Sequence, residues 1–170
     1  MELSAAGLAL IKKSEGFRDA TYKDVAGFPT IGYGHLIVPP ESYPNGITEA
    51  QAAALLAADV YCAQQTVKRL VHVPLTQGQF DALVDFTFNL GAGRLAQSTL
   101  LRDLNNGQSE AAAQQLLSWD HAAGVVNAGL KARRLAEYQL WTGHAFTPAV
   151  PTIGPPRPAP ANPSAPAPAK

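Results

Sequence analysis

The sequence predicts an α+β fold, with a small antiparallel sheet lobe beside a mainly helical lobe and a cleft where they meet. Three observations predict it. Gly27, Gly32 and Gly34 interrupt short β-branched and aromatic runs within residues 17–37, and Pro29 forbids a central helix there. Nearly everything from residue 48 to 143 carries helical periodicity or helix-capping patterns. The 170-residue chain is 46% hydrophobic and 15% charged, which excludes a disordered or fibrous class.

The first helix is expected from about Ser4 to Glu15. Leu8, Ile11 and Glu15 are spaced i, i+3, i+7 and share one face. Ser4 suits the N-cap, Gly16 the stop, and Lys12 and Lys13 the negative dipole end. The sheet follows, built on Thr21-Tyr22, Thr30-Ile31 and Ile37-Val38, and Pro39-Pro40, Pro44 and Asn45-Gly46 form its exit loop. Thr48-Glu49-Ala50-Gln51 and Thr76-Gln77-Gly78-Gln79 have capping-box form. The first opens an alanine-rich helix to about Leu70. The second opens a helix whose apolar face is Phe80, Leu83, Val84, Thr87 and Phe88. Further helices are expected from Ser98 to about Asn105, from a Ser109 cap to about Trp119, and from Leu130 to Thr142 with a stop at Gly143.

The folded unit is expected to span residues 1–146. Residues 147–170 hold nine of the 14 prolines and too little apolar surface for a core, so they read as a Pro/Ala-rich flexible tail. Thirteen basic residues balance thirteen acidic ones, which argues against a nucleic-acid partner. No apolar run reaches the roughly 18–20 residues of a membrane helix, and Leu3–Ile11 is too short and wrongly flanked for a signal peptide. The single cysteine, Cys62, allows no internal disulfide and is expected as a buried thiol in the alanine-rich helix. Trp119, Trp141 and Phe88 are expected in the core. His72, His121 and His144 share no metal-ligand spacing, so no cofactor or metal is expected.

Two carboxyl groups carry the chemical signal. Glu15 stands at a helix end, extending the Leu8/Ile11 stripe, where burial and the dipole both disfavour a carboxylate; a nearby Arg18 would oppose this. Asp24, nine positions later among polar turn residues and beside Lys23, suits a carboxylate. Glycosidic cleavage needs such an acid and such a base on opposite walls of a cleft. Taken alone, the pair is also what ordinary surface residues look like.

The string EGFRDATYKDVAGFPTIGYGH (15–35) resembles the active-site signature of the phage-type lysozymes, the endolysin family that includes the coliphage muramidases. Glu15, Asp24 and Thr30 stand at its spacing of Glu, eight residues, Asp, five residues, Thr. QFDALVDFTFNLGAG (79–93), Ser98–Leu101 and GLKARRLAEYQLWTG (129–143) resemble the family's central and closing helices, so the similarity covers nearly all of 1–144. The resemblance implies a lysozyme-like fold and hydrolysis of the β-1,4 bond from N-acetylmuramic acid to N-acetylglucosamine in peptidoglycan. Glu15 would be the general acid, while Asp24 and Thr30 would activate the attacking water. Inversion, the implied outcome, calls for carboxyl groups about 6.5–9.5 Å apart.

Arg18, Phe28, Gly32, His35 and Arg134 are the expected binding or cleft-supporting residues. Phe28 is either a sugar-facing group or a turn packing residue. Arg18 and His35 are expected to hold the cleft by hydrogen bonds or acidic partners. Arg133 and Glu137 are spaced for an i,i+4 ion pair, and Arg134 is placed to meet the peptide stem or the neighbourhood of Asp24. The chain begins almost at the catalytic helix, without the exporting segment that some relatives carry, and Cys62 lies outside the motif, so disulfide control is not expected. The resemblance therefore implies a monomer that collects in the host cytoplasm and depends on a holin-type lesion to reach the periplasm and wall. A lytic transglycosylase and a non-catalytic glycan binder are the competing readings. The presence of Asp24 and Thr30 argues against both.

Overall fold

The computed structural model describes residues 1–24, 27–122 and 124–144; the tail at 147–170 lies outside them. The order of elements is α1 (Ala5–Glu15), β1 (Arg18–Lys23), β2 (Pro29–Gly32), β3 (His35–Leu36), α2 (Glu49–Leu70), α3 (Gln77–Leu90), α4 (Ala92–Ala96), α5 (Thr99–Asn105), α6 (Ser109–Leu116), β4 (His121–Ala122), β5 (Val125–Val126) and α7 (Ala128–Thr142). Strands β1-β2-β3 form one antiparallel sheet in sequence order, and β4-β5 form a separate hairpin. This is the expected α+β arrangement.

Helix ends follow the residues that cap them. Ser4 accepts from the Gly7 N–H at the start of α1. Both predicted capping boxes are formed, at Thr48/Gln51 and at Thr76/Gln79. Ser98 caps α5, and Gly143 ends α7 in the left-handed region at φ 69°. Asn127 caps α7, which starts at Ala128, two residues before the expected start at Leu130.

Several expectations are corrected. Ser109 is the first residue of α6, not its cap, and its hydroxyl instead accepts from Gln79 and from the indole N–H of Trp141. α6 ends at Leu116, so Trp119 lies beyond it, half-buried with its ring edge-on to Phe86. Trp141 belongs to the core, whereas Trp119 and Phe88 pack against it only partly buried. α4 and the β4-β5 hairpin were not anticipated, because elements of two to five residues show no period to detect. Cys62 is exposed. It falls outside the Ala52, Leu56, Val60, Ala63 and Val67 stripe that α2 buries.

The core centres on α3, which packs against α1, α2 and α7. Every residue from Phe80 to Thr87 is buried, so α3 has no solvated face along that length. Two of those residues are carboxylic acids. Asp81 accepts from the Ser4 backbone N–H, the Ser4 hydroxyl and the Gln77 amide, tying α1 to α3. Asp85 reaches toward α7 and the cleft.

Candidate active site

Glu15 is the last residue of α1, half-buried where the helix meets the sheet. Gly16 (φ 71°) turns the chain into β1, and its N–H closes the helix on the Lys12 carbonyl. The turn between β2 and β3 comes up against the Glu15 carboxyl: a side-chain carbon on Gly34 would lie 3.4 Å from Glu15 Oε2. At φ 86°, glycine is also the residue that this turn tolerates.

Asp24 and Thr30 sit on the sheet side, held by the backbone of Phe28. The Asp24 N–H donates to the Phe28 carbonyl at 2.9 Å, and the Phe28 N–H donates to Asp24 Oδ1 at 2.8 Å. The Thr30 hydroxyl donates to that same carbonyl at 3.1 Å. Thr30 is buried and stands directly across the β1-β2 ladder from Tyr22. Burial, opposed by the Arg18 guanidinium but reinforced by the fields of Glu15 and Asp24, holds the Tyr22 phenol above its ordinary pKa. Tyr22 is thus the side chain that feels both carboxyl groups. It was legible only as a flank of the motif.

The other expected site residues separate into those open to the cleft and those that brace it. The Phe28 ring is 56% exposed, which sets aside a packing role. Arg18 lies over the Tyr22 ring, 4.5 Å from its centroid. Gly32 is buried, and a side-chain carbon there would meet Ala52 at 3.0 Å and Ile47 at 3.2 Å. Its close approach is to α2, so the residue joins the sheet to that helix. His35 bridges two acidic groups, with Nδ1 at 2.9 Å from Asp59 and Nε2 at 3.1 Å from Glu41. Burial lowers its pKa, but the two carboxylate partners outweigh that and raise it. His35 therefore fastens the sheet to α2, as a structural residue of the cleft.

Behind Glu15 lies a buried charge cluster whose pairing corrects the expectation for α7. Arg133 does not pair with Glu137. Its Nη1 donates to Glu15 Oε1 at 2.6 Å, and its Nε and Nη2 grip both oxygens of Asp85 at 2.9 and 2.8 Å. Burial disfavours the guanidinium charge, but Asp85 and Glu15 together raise its pKa above the ordinary value. Arg134 is fully buried and makes no contact with a substrate surface. Its Nη2 donates to Asn89 at 3.0 Å and lies 2.7 Å from Glu137, and its guanidinium stacks on Phe86. It supports the cleft from inside. The signal for this cluster was present as Asp85, an acidic residue within the largely apolar run from Phe80 to Phe88. A periodicity reading counts it as part of a polar face.

Among the described residues, no three of His, Cys, Asp and Glu converge as metal ligands do. No helix of the described residues is long and apolar enough to cross a membrane. A surface hollow of about 500 Å³, lined by Asp19, Asn45, Gly46 and Gln51 among others, does not include Glu15, Asp24 or Thr30. The site is defined by the convergence of side chains.

Comparison with known proteins agrees with this arrangement. The family model described as phage lysozyme matches residues 12–137. An endolysin of Bacillus phage B103 is 43% identical over 144 residues, covering 83% of this chain and 54% of that protein. The chain thus spans about half the length of the two Bacillus phage endolysins it matches. An endolysin structure from Escherichia coli O157:H7 phage FAHEc1 superposes with a TM-score of 0.77 at 36% identity, covering 86% of this chain and 98% of that one. The muramidase domain of SpmX from Asticaccaulis excentricus gives a TM-score of 0.76 at 39% identity, covering 83% of this chain and 97% of that one. With the matched span running from α1 to α7, the chain belongs to the phage lysozyme family.

Proposed function

We propose that the chain is a muramidase that cleaves the β-1,4 bond between N-acetylmuramic acid and N-acetylglucosamine in peptidoglycan, acting as an endolysin in host cell lysis. The observation that carries this is the placement of the Glu15 carboxyl at the end of α1 against the β2-β3 turn, with Asp24 and Thr30 both held on the sheet side by the backbone of Phe28. The relatives' names, endolysin and muramidase domain, support the same chemistry. Glu15 gives its proton to the leaving glycosidic oxygen. Asp24 takes a proton from a water aligned by the Thr30 hydroxyl, and the water's oxygen bonds to the anomeric carbon from the opposite face. The products are two sugar ends with one water added, and the anomeric configuration inverts. The exposed Phe28 ring offers an apolar surface to a sugar face.

In this reading the catalytic unit is residues 1–146, monomeric and without a cofactor, and residues 147–170 are an appendage. It waits in the host cytoplasm until a membrane lesion admits it to the wall. The test is mass spectrometry of products from purified peptidoglycan in heavy-oxygen water, for wild type, Glu15→Gln and Asp24→Asn. Reducing ends labelled by wild type and lost in both variants are the expected result. Unlabelled anhydro-sugars that survive Asp24→Asn would establish a transglycosylase instead, and wall binding without products would establish a binder.

A further inference from the structure

The register of the sheet fixes which side chains share its cleft face. Tyr22 on β1 stands opposite Thr30 on β2, and Thr30 stands opposite Leu36 on β3, so the three form one row on one face. Alternation returns Asp24 and Phe28 to that face, one pair beyond Lys23 and Pro29. The other face carries Ile31 and His35, which fasten the sheet to the core and to α2. Arg18 joins the cleft face, because its guanidinium lies 4.5 Å from the centroid of the Tyr22 ring. It is exposed, on the stretch of chain between Glu15 and Tyr22. Its Cα is at most roughly 11 Å from that of Glu15, the span of three extended residues. Among the described residues no carboxylate pairs with Arg18; the lysines and arginines that do pair are Lys68, Arg102, Arg133 and Arg134.

We propose that Arg18 determines specificity in the cleft: its guanidinium binds a carboxylate of the peptide stem that N-acetylmuramic acid carries. The proposal rests on the muramidase reading and names the form of the glycan that the site takes. In that reading Asp24 works as a carboxylate on this face, and its charge disfavours a substrate that itself bears carboxylates. A cation without a partner on the same face offsets that repulsion. Stacking on Tyr22 removes part of the rotamer freedom that a solvated arginine loses on binding. It also leaves the edge of the planar fork free, and two parallel N–H donors there match the two oxygens of a carboxylate. A glycan whose stem carboxylates are turned into amides has no anion to place against it.

The experiment uses soluble glycan strands that keep their peptide stems, and the same strands after carbodiimide coupling to ammonia, which turns each stem carboxylate into a neutral amide. The ratio of kcat/KM on the two is measured for wild type, Arg18→Gln and Arg18→Lys. Arg18 is exposed, so both variants are expected to fold as wild type does. Wild type is expected to prefer the anionic strands by roughly fivefold, the upper end for a solvent-exposed charge pair, and to lose that preference in high salt. Arg18→Gln is expected to bring the ratio to about one, through KM rather than kcat. Arg18→Lys is expected to keep part of it, having the charge without the fork. A wild type that cleaves both strands alike, or an Arg18→Gln protein with the wild-type ratio, would overturn the proposal. If wild type cleaves neither strand, the muramidase reading fails. Titration calorimetry of the same strands then decides the carboxylate site by itself: tighter binding of the anionic strand that Arg18→Gln abolishes supports it, and equal binding overturns it.

Discussion

Gly78→Ala is the substitution whose cost is most directly measurable from the fold. Gly78 lies in the first turn of α3, where the helix passes against α7. A side-chain carbon there would stand 1.9 Å from the Leu140 carbonyl oxygen and 2.9 Å from its carbon. Both atoms are backbone, so no rotamer change relieves the clash, and α7 must move by more than an ångström. Two effects oppose each other. Alanine is preferred to glycine in a helix by about 1 kcal/mol. Overpacking of this kind costs about 1–3 kcal/mol and sometimes more, and a rigid backbone contact belongs at the upper end. The net loss is about 2 kcal/mol, or roughly 4–8 °C in Tm for a chain of this length.

The same wedge reaches the site. Asp85 is seven residues beyond Gly78, and Arg133 is seven residues before Leu140. The helices run antiparallel, so the Asp85–Arg133 grip lies about 10 Å from the clash. Peptidoglycan turnover below the melting temperature should fall with the Tm. Thermal unfolding followed by circular dichroism is the assay, with Gly93→Ala as the control, since nothing stands within 4 Å of a side-chain carbon there. The control should gain up to about 1 kcal/mol from propensity alone. A Gly78→Ala protein as stable as Gly93→Ala would refute the argument that α3 and α7 are in hard contact.

Three further outcomes are expected. The raised pKa of His35 means that its folded state holds its proton more tightly than the unfolded chain. Its stabilisation is therefore complete below about pH 6.5 and lost as pH rises through the folded value, so the Tm gap between wild type and His35→Asn should narrow from about pH 6 to 9; a gap that widens would contradict the Asp59 and Glu41 pairing. Arg133→Met leaves Asp85 buried without its partner and should cost about 3–5 kcal/mol with loss of turnover, measured by urea unfolding and lysis; near-neutral stability would show the pair to be dispensable. Cys62 should react with a maleimide in the native protein, without denaturant, because it is exposed on α2; protection until unfolding would place it in the core after all.

Elements with strong local chemistry were legible in the sequence. Ser4, Thr48, Thr76, Ser98 and Gly143 set helix ends through bonds spanning only a few residues, and those ends appear where the residues put them. Ser109 fails the same rule. Its hydroxyl is taken by Gln79 and Trp141, two residues about 30 positions away in opposite directions. Cys62 fails because hydrophobic character alone does not fix which side of a helix faces the core.

The sequence by itself determined the fold class, the Glu15, Asp24 and Thr30 spacing, and the glycines that let the sheet turn beneath the carboxyl groups. These follow from backbone rules and short-range spacing. Only the tertiary structure decided what holds the Glu15 carboxyl in place. Arg133 lies 118 residues from Glu15 and 48 from Asp85, and the three meet because α1, α3 and α7 share one core. Spacing along α7 favoured a partner four residues away, at Glu137, for Arg133. Burial reversed that choice. A guanidinium removed from water needs several acceptors at once, and the neighbouring helices supplied Asp85 and Glu15.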